Sequence, residues 1–148
     1  MTADEIKAIL QKRHSNLWRW ICVTELQTTT SIYRSRRIID VFAMALIQSL
    51  NNYERIAYEI KVSRADWLKE LKNPRKKAAA MSLSDRFFFV LAHGIYKKGD
   101  LPRDDCGILE ITPEKQIKLI RRAKRRKVKP MPPGFIAALA RRIKQENQ

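Results

Sequence analysis

The sequence predicts a mixed α/β fold (α+β with a mixed sheet) in a single domain. Its 148 residues match the usual length of one domain, and 45% hydrophobic residues are enough to build a core. Segments with helical periodicity alternate with short β-branched and aromatic runs, in the order helix, three strands, helix, strand. A further amphipathic helix follows. We expect a core over residues 3–111 and a basic C-terminal extension over residues 112–148 of the same domain.

The first part of the chain predicts one helix and three strands. Thr2 and Glu5 form a capping box, and the apolar residues after them recur at helical spacing, so a helix is expected from residue 3 to about residue 17. Trp18 and Trp20 follow at the junction with the first strand, and we expect both rings in the core. Short links between the strands favour an antiparallel meander. The predicted strands span residues 20–26, 38–44 and 56–62.

The second part of the chain predicts a crossover helix and further strands. Ser63 and Asp66 cap a helix whose buried side is expected to include Trp67 and Leu68, and Pro74 is expected to kink or end it. A helix between two strands implies a parallel crossover. The later predicted strands are residues 86–92, 107–111 and 115–120, and the C-terminal helix covers residues 135–143.

Three charged residues stand inside apolar predicted strands, namely Asp40, Glu59 and Lys61. Successive side chains of a strand point to opposite faces, so Glu59 and Lys61 share one face about 6.6 Å apart. Buried carboxylates are usually paired or coordinate a metal, because an unpaired buried charge is costly. Two interpretations are open: a cross-strand salt bridge of Lys61 with Asp40 or Glu59 on a solvated sheet face, or a metal site.

Four short motifs surround these charges. They are Arg37-Ile38-Ile39-Asp40, residues 59–66 (Glu-Ile-Lys-Val-Ser-Arg-Ala-Asp), residues 85–90 (Asp-Arg-Phe-Phe-Phe-Val), and Leu101-Pro102 with Cys106-Gly107-Ile108-Leu109. Together they resemble the PD-(D/E)XK nuclease superfamily, and more closely its small MmcB-like branch associated with bacterial DNA repair. Ile39 stands where the superfamily's name has proline. The resemblance covers residues 20–111 and implies a restriction-endonuclease-like αβββαβ core.

The activity implied by the resemblance is that of a magnesium-dependent deoxyribonuclease, acting as an endonuclease or an exonuclease in DNA repair, recombination or mobile-DNA processing. Asp40 and Glu59 are the predicted ligands of Mg²⁺, which prefers oxygen donors, with Mn²⁺ as a substitute. The resemblance adds the backbone carbonyl of Ile60. Lys61 is expected to orient or deprotonate the attacking water and to stabilise the charge developing on phosphorus.

Glu25, in the first predicted strand, is a third candidate carboxylate. It resembles an upstream glutamate that some members of the superfamily place beside the metal. With Asp40 and Glu59 it would allow two cations to be held about 3.5–4 Å apart. The alternative is an outward-facing strand residue paired with a lysine, and the sequence leaves both open.

The net charge of +16, from 31 Lys and Arg against 15 Asp and Glu, favours a polyanionic partner. DNA is the first candidate and an anionic membrane surface the second. Three basic clusters, over residues 34–37, 69–77 and 118–129, predict a phosphate-binding channel leading to the carboxylates. The residues expected to bind nucleic acid are Arg36, Arg37, Arg64, Lys69, Lys72, Arg75, Lys76, Lys77, Arg121, Arg122, Arg125 and Arg126.

Other function classes are limited by what the sequence lacks. No apolar run is long enough to cross a bilayer, so we expect a cytoplasmic protein with Cys22 and Cys106 reduced. Two alternatives to a nuclease are open: a catalytically inactive nuclease-like module that binds DNA or RNA, and a basic RNA-binding protein. A homodimer is also open, because no residue determines the oligomeric state.

Overall fold

The computed structural model describes residues 1–31, 37–102 and 104–147. A six-stranded mixed sheet with helices, including one at the C-terminus, confirms the predicted fold class. No helix in these ranges is both long and apolar enough to cross a membrane. The helices are α1 (Ala3–Arg13), α2 (Arg64–Lys72), α3 (Ala78–Ser82) and α4 (Pro133–Glu146), with a 3₁₀ turn at Pro74–Lys77. The strands are β1 (Trp20–Gln27), β2 (Ile38–Ala45), β3 (Arg55–Lys61), β4 (Arg86–Leu91), β5 (Gly107–Ile111) and β6 (Ile117–Arg121).

The strands follow one another across the sheet in chain order, β1-β2-β3-β4-β5-β6. The first three pair antiparallel, which confirms the predicted meander. Strand β4 pairs parallel with β3 after the chain has passed through α2, which confirms the predicted crossover. Strand β5 pairs parallel with β4, and β6 pairs antiparallel with β5. Strands β3, β4 and β5 are therefore parallel to one another, so all three begin at the same end of the sheet and finish at the opposite end.

Aromatic contacts identify which helices cover the two faces of the sheet. On one face Tyr58 stacks on Phe88 with ring centroids 5.8 Å apart, and it also contacts His14 just after α1. On the other face Phe42 meets Phe135 of α4 edge to face, at a centroid distance of 5.3 Å. Since side chains alternate along a strand, residues next to Tyr58 in β3 belong to the face covered by α4.

Helix α1 ends at Arg13, earlier than the predicted end near residue 17, although its predicted capping box is formed. The imidazole of His14 turns inward and contacts the ring of Trp20, with centroids 4.4 Å apart. Asn16 Oδ1 then accepts the N–H of Trp18 at 3.1 Å, which forms a turn instead of another helical residue. Trp18 is 89% exposed, so its predicted core position was wrong, whereas Trp20 packs against the core.

Helix α2 leads from the end of β3 back across the sheet. Ser63 caps it as predicted, and the helix ends before Pro74, as expected from the proline. Trp67 is fully buried and meets Phe89 edge to face at 5.0 Å. Leu68 is exposed, contrary to the prediction, because Trp67 and the residue three positions after it take the inward side of this short helix.

Candidate active site

Asp40 and Glu59 meet where β2 and β3 stop pairing. The antiparallel ladder between the two strands ends at the pair of Val41 and Tyr58, so Asp40 and Glu59 occupy the next facing positions. There the N–H of Ile60 donates to Asp40 Oδ2 at 2.8 Å. The two carboxyl groups also influence each other electrostatically, because the charge of Asp40 raises the pKa of Glu59. The structure thus brings together the two carboxylates that the sequence singles out.

Burial and the neighbouring carboxylate make ionisation of Glu59 unfavourable. Burial is the larger cause and Asp40 the second, and they raise the pKa of Glu59 to about 7. Burial also raises the pKa of Asp40, although the hydrogen bond from Ile60 acts in the opposite direction. Near neutral pH a proton is therefore bound to Glu59 in a part of the molecules. A cation between their oxygens would replace that proton and relieve the repulsion.

Lys61 is a buried cation beside this pair. Its Nζ lies 3.5 Å from Glu59 Oε1 and 2.8 Å from Glu70 Oε1, and its side chain is 10% exposed. Burial alone would lower the pKa of Lys61, but the hydrogen bond that Lys61 donates to Glu70 and the attraction of both carboxylates outweigh it and raise the pKa. Lys61 is therefore protonated at neutral pH. A protonated Lys61 can orient the attacking water and stabilise developing charge, but it cannot deprotonate the water. The structure therefore favours the first two of its expected roles over the third.

The surroundings of Lys61 differ from a salt bridge on a solvated sheet face. The pair of Lys61 and Glu59 exists, but the site is largely buried beneath α2 and the residues after it. Each partner also has a second charged neighbour, Glu70 for Lys61 and Asp40 for Glu59. The arrangement is a partly buried network of four ionisable groups, which is costly unless its groups satisfy one another or a ligand.

Glu70 is the site residue that the sequence reasoning missed. Its side chain is 3% exposed and accepts hydrogen bonds from Lys61 at 2.8 Å and Lys76 at 3.1 Å. Burial opposes its charge, but these two cations lower its pKa overall. Its second oxygen, Oε2, has no hydrogen-bond partner in the described part of the chain. The available signal was its position three residues after Trp67, on the buried side of α2.

Glu25 lies in β1 across from Asp40, between the paired positions 24 and 26. Its backbone has a φ of 49°, in the left-handed region, and its carboxylate is exposed. Lys7 Nζ of α1 donates to Glu25 Oε1 at 2.8 Å, and that hydrogen bond is the main reason for the lowered pKa of Glu25. The structure thus has the lysine pairing that the sequence left open. A metal-binding role for Glu25, and with it a two-cation site, stays a prediction.

Within residues 1–31, 37–102 and 104–147, no three His, Cys, Asp or Glu side chains are grouped closely enough to hold a metal ion. The candidate site therefore rests on the pair Asp40 and Glu59. A small cavity of about 110 Å³ opens beside Glu59 and Glu70 and is also lined by Arg37 and Lys76. Three of the predicted DNA-binding cations, Arg37, Lys76 and Lys77, thus line this cavity next to the carboxylate site.

The basic cluster after β3 is partly exposed and partly structural. Lys77 was expected at the surface, but it is buried; its Nζ lies 2.8 Å from Asp104 Oδ2 and 5.6 Å from the ring centroid of Phe89. Arg64 donates to Asp100 Oδ2 at 2.7 Å and to the carbonyl of Ile95, so it supports the loop after β4. The cluster members that remain exposed are Lys69, Lys72, Arg75 and Lys76. Arg36 lies outside the described residues.

The basic run over residues 118–129 lies away from the carboxylates. The N–H of Lys124 donates to the carbonyl of Asp105, just before β5, and that of Arg126 donates to the carbonyl of Asp85, just before β4. The run therefore crosses the starts of the parallel strands, whereas Lys61 is at the far end of β3, about 20 Å away along the strand. The prediction that all three clusters lead to one site was wrong for this run.

Several arginines of this run hold backbone carbonyls in place. Arg122 is exposed, and a DNA-binding role for the run stays a prediction. The carbonyl contacts are Arg121 with Pro102 at 2.9 Å and Asp104 at 2.6 Å, Arg125 with Asn51 at 2.5 Å, and Arg126 with Met81 at 2.6 Å.

No protein-family model matches the chain, and no curated protein matches its sequence. The fold is similar to the solved structure of a protein of unknown function from Silicibacter pomeroyi. The TM-score is 0.61 at 20% sequence identity, and the match covers 95% of this chain and 88% of the other. The similarity supports the mixed α/β architecture over nearly the full length.

Proposed function

We propose that this protein is a metal-dependent nuclease that hydrolyses DNA phosphodiester bonds, in DNA repair, recombination or mobile-DNA processing. The observation that carries the proposal is the pairing of two half-buried carboxylates, Asp40 and Glu59, with the buried, charged Lys61 beside them. If the site were purely structural, each carboxylate would be expected to be ionised and paired with a cation. Instead, the pKa of Glu59 is raised to about 7, because burial and the charge of Asp40 oppose its ionisation. A divalent cation would resolve that conflict.

The donor atoms at the site fit a hard divalent cation. Asp40 and Glu59 supply carboxylate oxygens, the ligands that Mg²⁺ and Mn²⁺ prefer. The N–H of Ile60 points towards β2, since it reaches Asp40, and the carbonyl of the same residue points to that side of β3 as well. These three residues would hold the cation. When bound, it would lower the pKa of a coordinated water and polarise a phosphoryl oxygen.

Lys61 and Glu70 would act on the phosphate and its nucleophile. The raised pKa of Lys61 keeps it positively charged, despite the opposing effect of burial, because Glu70 and Glu59 surround it. A fixed ammonium in a site that excludes water stabilises charge developing on a phosphoryl oxygen. Glu70 touches Lys61 and is screened from solvent by α2, so we assign it as a positioning residue.

DNA is the proposed substrate because the molecule is strongly cationic around the site. Exposed lysines and an arginine follow the site along α2 and the 3₁₀ turn, and Arg37 lines the cavity beside Glu59. Such contacts give affinity without reading sequence. We place the activity in the cytoplasm, because Cys22 and Cys106 are both free thiols, as expected in a reducing compartment.

The test is cleavage of supercoiled and linear DNA by the purified protein and by the variants Asp40→Asn, Glu59→Gln and Lys61→Met. We expect cleavage with Mg²⁺ or Mn²⁺ by the parent protein, DNA binding without turnover in Ca²⁺, and loss of cleavage in each variant with DNA binding retained. Glu114→Gln, which removes an exposed carboxylate from the turn between β5 and β6, is the matched control. Undiminished cleavage by all three site variants would refute the proposal.

A protein that only binds nucleic acid would give a different result. It would bind DNA with a strong salt dependence, and no product would form at any Mg²⁺ or Mn²⁺ concentration. That outcome would replace the nuclease with the catalytically inactive binding module.

A further inference from the structure

An open groove of about 760 Å³ lies at the end of the sheet where β3 and β4 begin. We call it the basic groove. Arg55 and Asp85 line its base, where the N–H of Arg55 donates to Asp85 Oδ2 and the N–H of Asp85 donates to the Arg55 carbonyl, both at 2.8 Å. Residues 125–131 form one wall, and the turn between β2 and β3 forms another. The basic groove is thus at the opposite end of β3 from Lys61.

Arg55 has a buried donor that the protein itself leaves unsatisfied. The residue is 7% exposed, and its Nη2 donates to the carbonyl of Lys129 at 2.7 Å. Its Nη1 is buried and has no hydrogen-bond partner among the residues that the structure describes. The nearby carboxylate of Asp85 is engaged with the backbone N–H of Arg55. A buried guanidinium donor without an acceptor is costly, so a ligand oxygen at this point would be stabilising.

The lining of the basic groove is strongly cationic. Its lining includes five cationic side chains and one carboxylate, that of Asp85. Lys127 and Lys129 are exposed, and their ammonium groups make no hydrogen bond or ion pair with the residues that the structure describes. Arg125 and Arg126, in contrast, are also used to hold backbone carbonyls. Lys127 and Lys129 are therefore free to pair with an anion without disturbing the fold.

The turn at the rim supplies an aromatic ring next to these cations. Asn51, Asn52 and Tyr53 have φ values of 50°, 56° and 63°, three successive left-handed residues that are not glycine. Non-glycine residues adopt this region at a cost, so the turn is held by its surroundings, including the bond from Arg125 to the Asn51 carbonyl. Tyr53 is 47% exposed beside the groove. An exposed ring beside phosphate-binding cations suits a nucleic-acid strand better than a free phosphate ion.

We propose that the basic groove binds the phosphate backbone of a nucleic-acid strand, as a second contact surface separate from the Asp40 and Glu59 site. The unpaired Nη1 of Arg55 donates to one phosphate oxygen, and Lys127 and Lys129 pair with neighbouring phosphates. Arg suits this anchoring position because its rigid fork matches phosphate geometry. The inference goes beyond the proposed nuclease activity, since binding in the groove requires neither the cation nor cleavage.

The experiment measures binding of labelled DNA oligonucleotides by fluorescence anisotropy in EDTA, over a range of salt concentrations. The double variant Lys127→Gln/Lys129→Gln is compared with Lys12→Gln/Lys144→Gln, which loses the same charge from exposed positions outside the groove. We expect the groove variant to lose about tenfold in affinity near 0.15 M salt and to flatten the slope of log K against log salt by about 0.9 for each lost phosphate contact on duplex DNA. The control should keep nearly the parent slope.

A second variant tests the anchoring residue while keeping its charge. Arg55→Lys retains a cation at the base of the groove but removes the fork, so DNA affinity should fall severalfold while the thermal midpoint confirms a folded protein. Inorganic phosphate is titrated in parallel as the free-ion probe. Equal affinity and equal salt slope for the groove and control double variants would overturn the proposal. If Arg55→Lys lost binding of inorganic phosphate while its DNA binding was unchanged, the proposal would be overturned as well.

Discussion

Lys61 owes its charge to Glu70 as well as to Glu59. The shorter contact is with Glu70, at 2.8 Å, and Glu70 itself is almost completely buried. A sequence pattern cannot identify such a pair easily, because Glu70 is nine residues further along the chain and on a different element. Strand alternation did identify Asp40, Glu59 and Lys61, since charge in an apolar strand is anomalous without any knowledge of the fold.

Glu70→Gln tests the positioning role of Glu70. The amide keeps the shape but removes the charge that holds Lys61, and losing a charged hydrogen bond costs about 1.5–3 kcal/mol. We expect the cleavage rate at saturating DNA to fall by about tenfold to a hundredfold, with KM little changed. The alkaline limb of the pH–rate profile should also move to lower pH, because Lys61 loses a group that raises its pKa.

The pH profile separates positioning from a simple loss of stability. If the proposed activity is present, simple destabilisation would reduce it without moving the limb, so an unshifted profile in Glu70→Gln would count against the assigned role. Glu114→Gln again provides the control for removal of one surface carboxylate.

His14 predicts how stability depends on pH. It is buried against Tyr58, whose hydroxyl lies 2.7 Å from His14 Nε2, and burial with the nearby Arg13 lowers the pKa of His14 from 6.5 to about 4. The unfolded chain therefore takes up this proton near pH 6.5, whereas the folded protein does so only near pH 4. The free energy of unfolding should fall as the pH decreases through that window.

The measurement is urea denaturation of the parent protein and of His14→Gln between pH 7.5 and pH 4.5. The variant should be less stable at pH 7.5, because it loses buried contacts, but its stability should decline less on acidification. His93→Gln replaces an exposed histidine and should keep the parent's decline. A decline in His14→Gln as steep as in the parent protein would contradict this account.

At the scale of elements, the sequence predicts the strands and their order better than the helix ends. The three-strand meander and the crossover into β4 follow from short links and from one capped helix between two strands. Helix α1 ends early because the inward turn of His14 and the side chain of Asn16 compete with further helical hydrogen bonds. The contacts of His14 with Trp20 and Tyr58 depend on β1 and β3 being in place, so local periodicity cannot predict them.

Helix α2 gives a stability test at this scale. Trp67 and Leu68 are adjacent and both were expected to be buried, but only Trp67 is enclosed. We expect Trp67→Ala to lower the free energy of unfolding by about 3–5 kcal/mol, the usual cost of removing a large buried aromatic side chain. Leu68→Ala should cost well under half as much, as measured by chemical denaturation. Similar losses in the two variants would show that α2 does not pack as described.

At the scale of the whole molecule, the position of a basic run in the sequence does not determine which part of the surface becomes cationic. The runs over residues 69–77 and 118–129 are both rich in lysine and arginine. The first follows the C-terminal end of β3, where Glu59 lies, whereas the second crosses the starts of β3 and β4. The difference arises because β5 and β6 form an antiparallel pair, which returns the chain to the end of the sheet where β5 began. That return is a property of the topology and carries no local sequence signal.

Two cationic regions of the described surface are separated along the sheet. One lies beside the carboxylates and includes Lys76 and Arg37, and the other is the basic groove with Arg55 at its base. A nucleic-acid strand long enough to reach both would gain affinity from two linked contacts. The net charge of +16 suggested a polyanionic partner, and the fold defines where such a partner can make its contacts.

A titration with Mn²⁺ tests whether Asp40 and Glu59 together hold a divalent cation, as we propose. Calorimetric binding of Mn²⁺ is measured for the parent protein, for Asp40→Asn/Glu59→Gln and for the control Glu114→Gln, at a pH above the pKa of Glu59, which is about 7. We expect the parent and the control to bind Mn²⁺ and the double variant to lose this binding while remaining folded. Equal Mn²⁺ affinity in the folded double variant would contradict it.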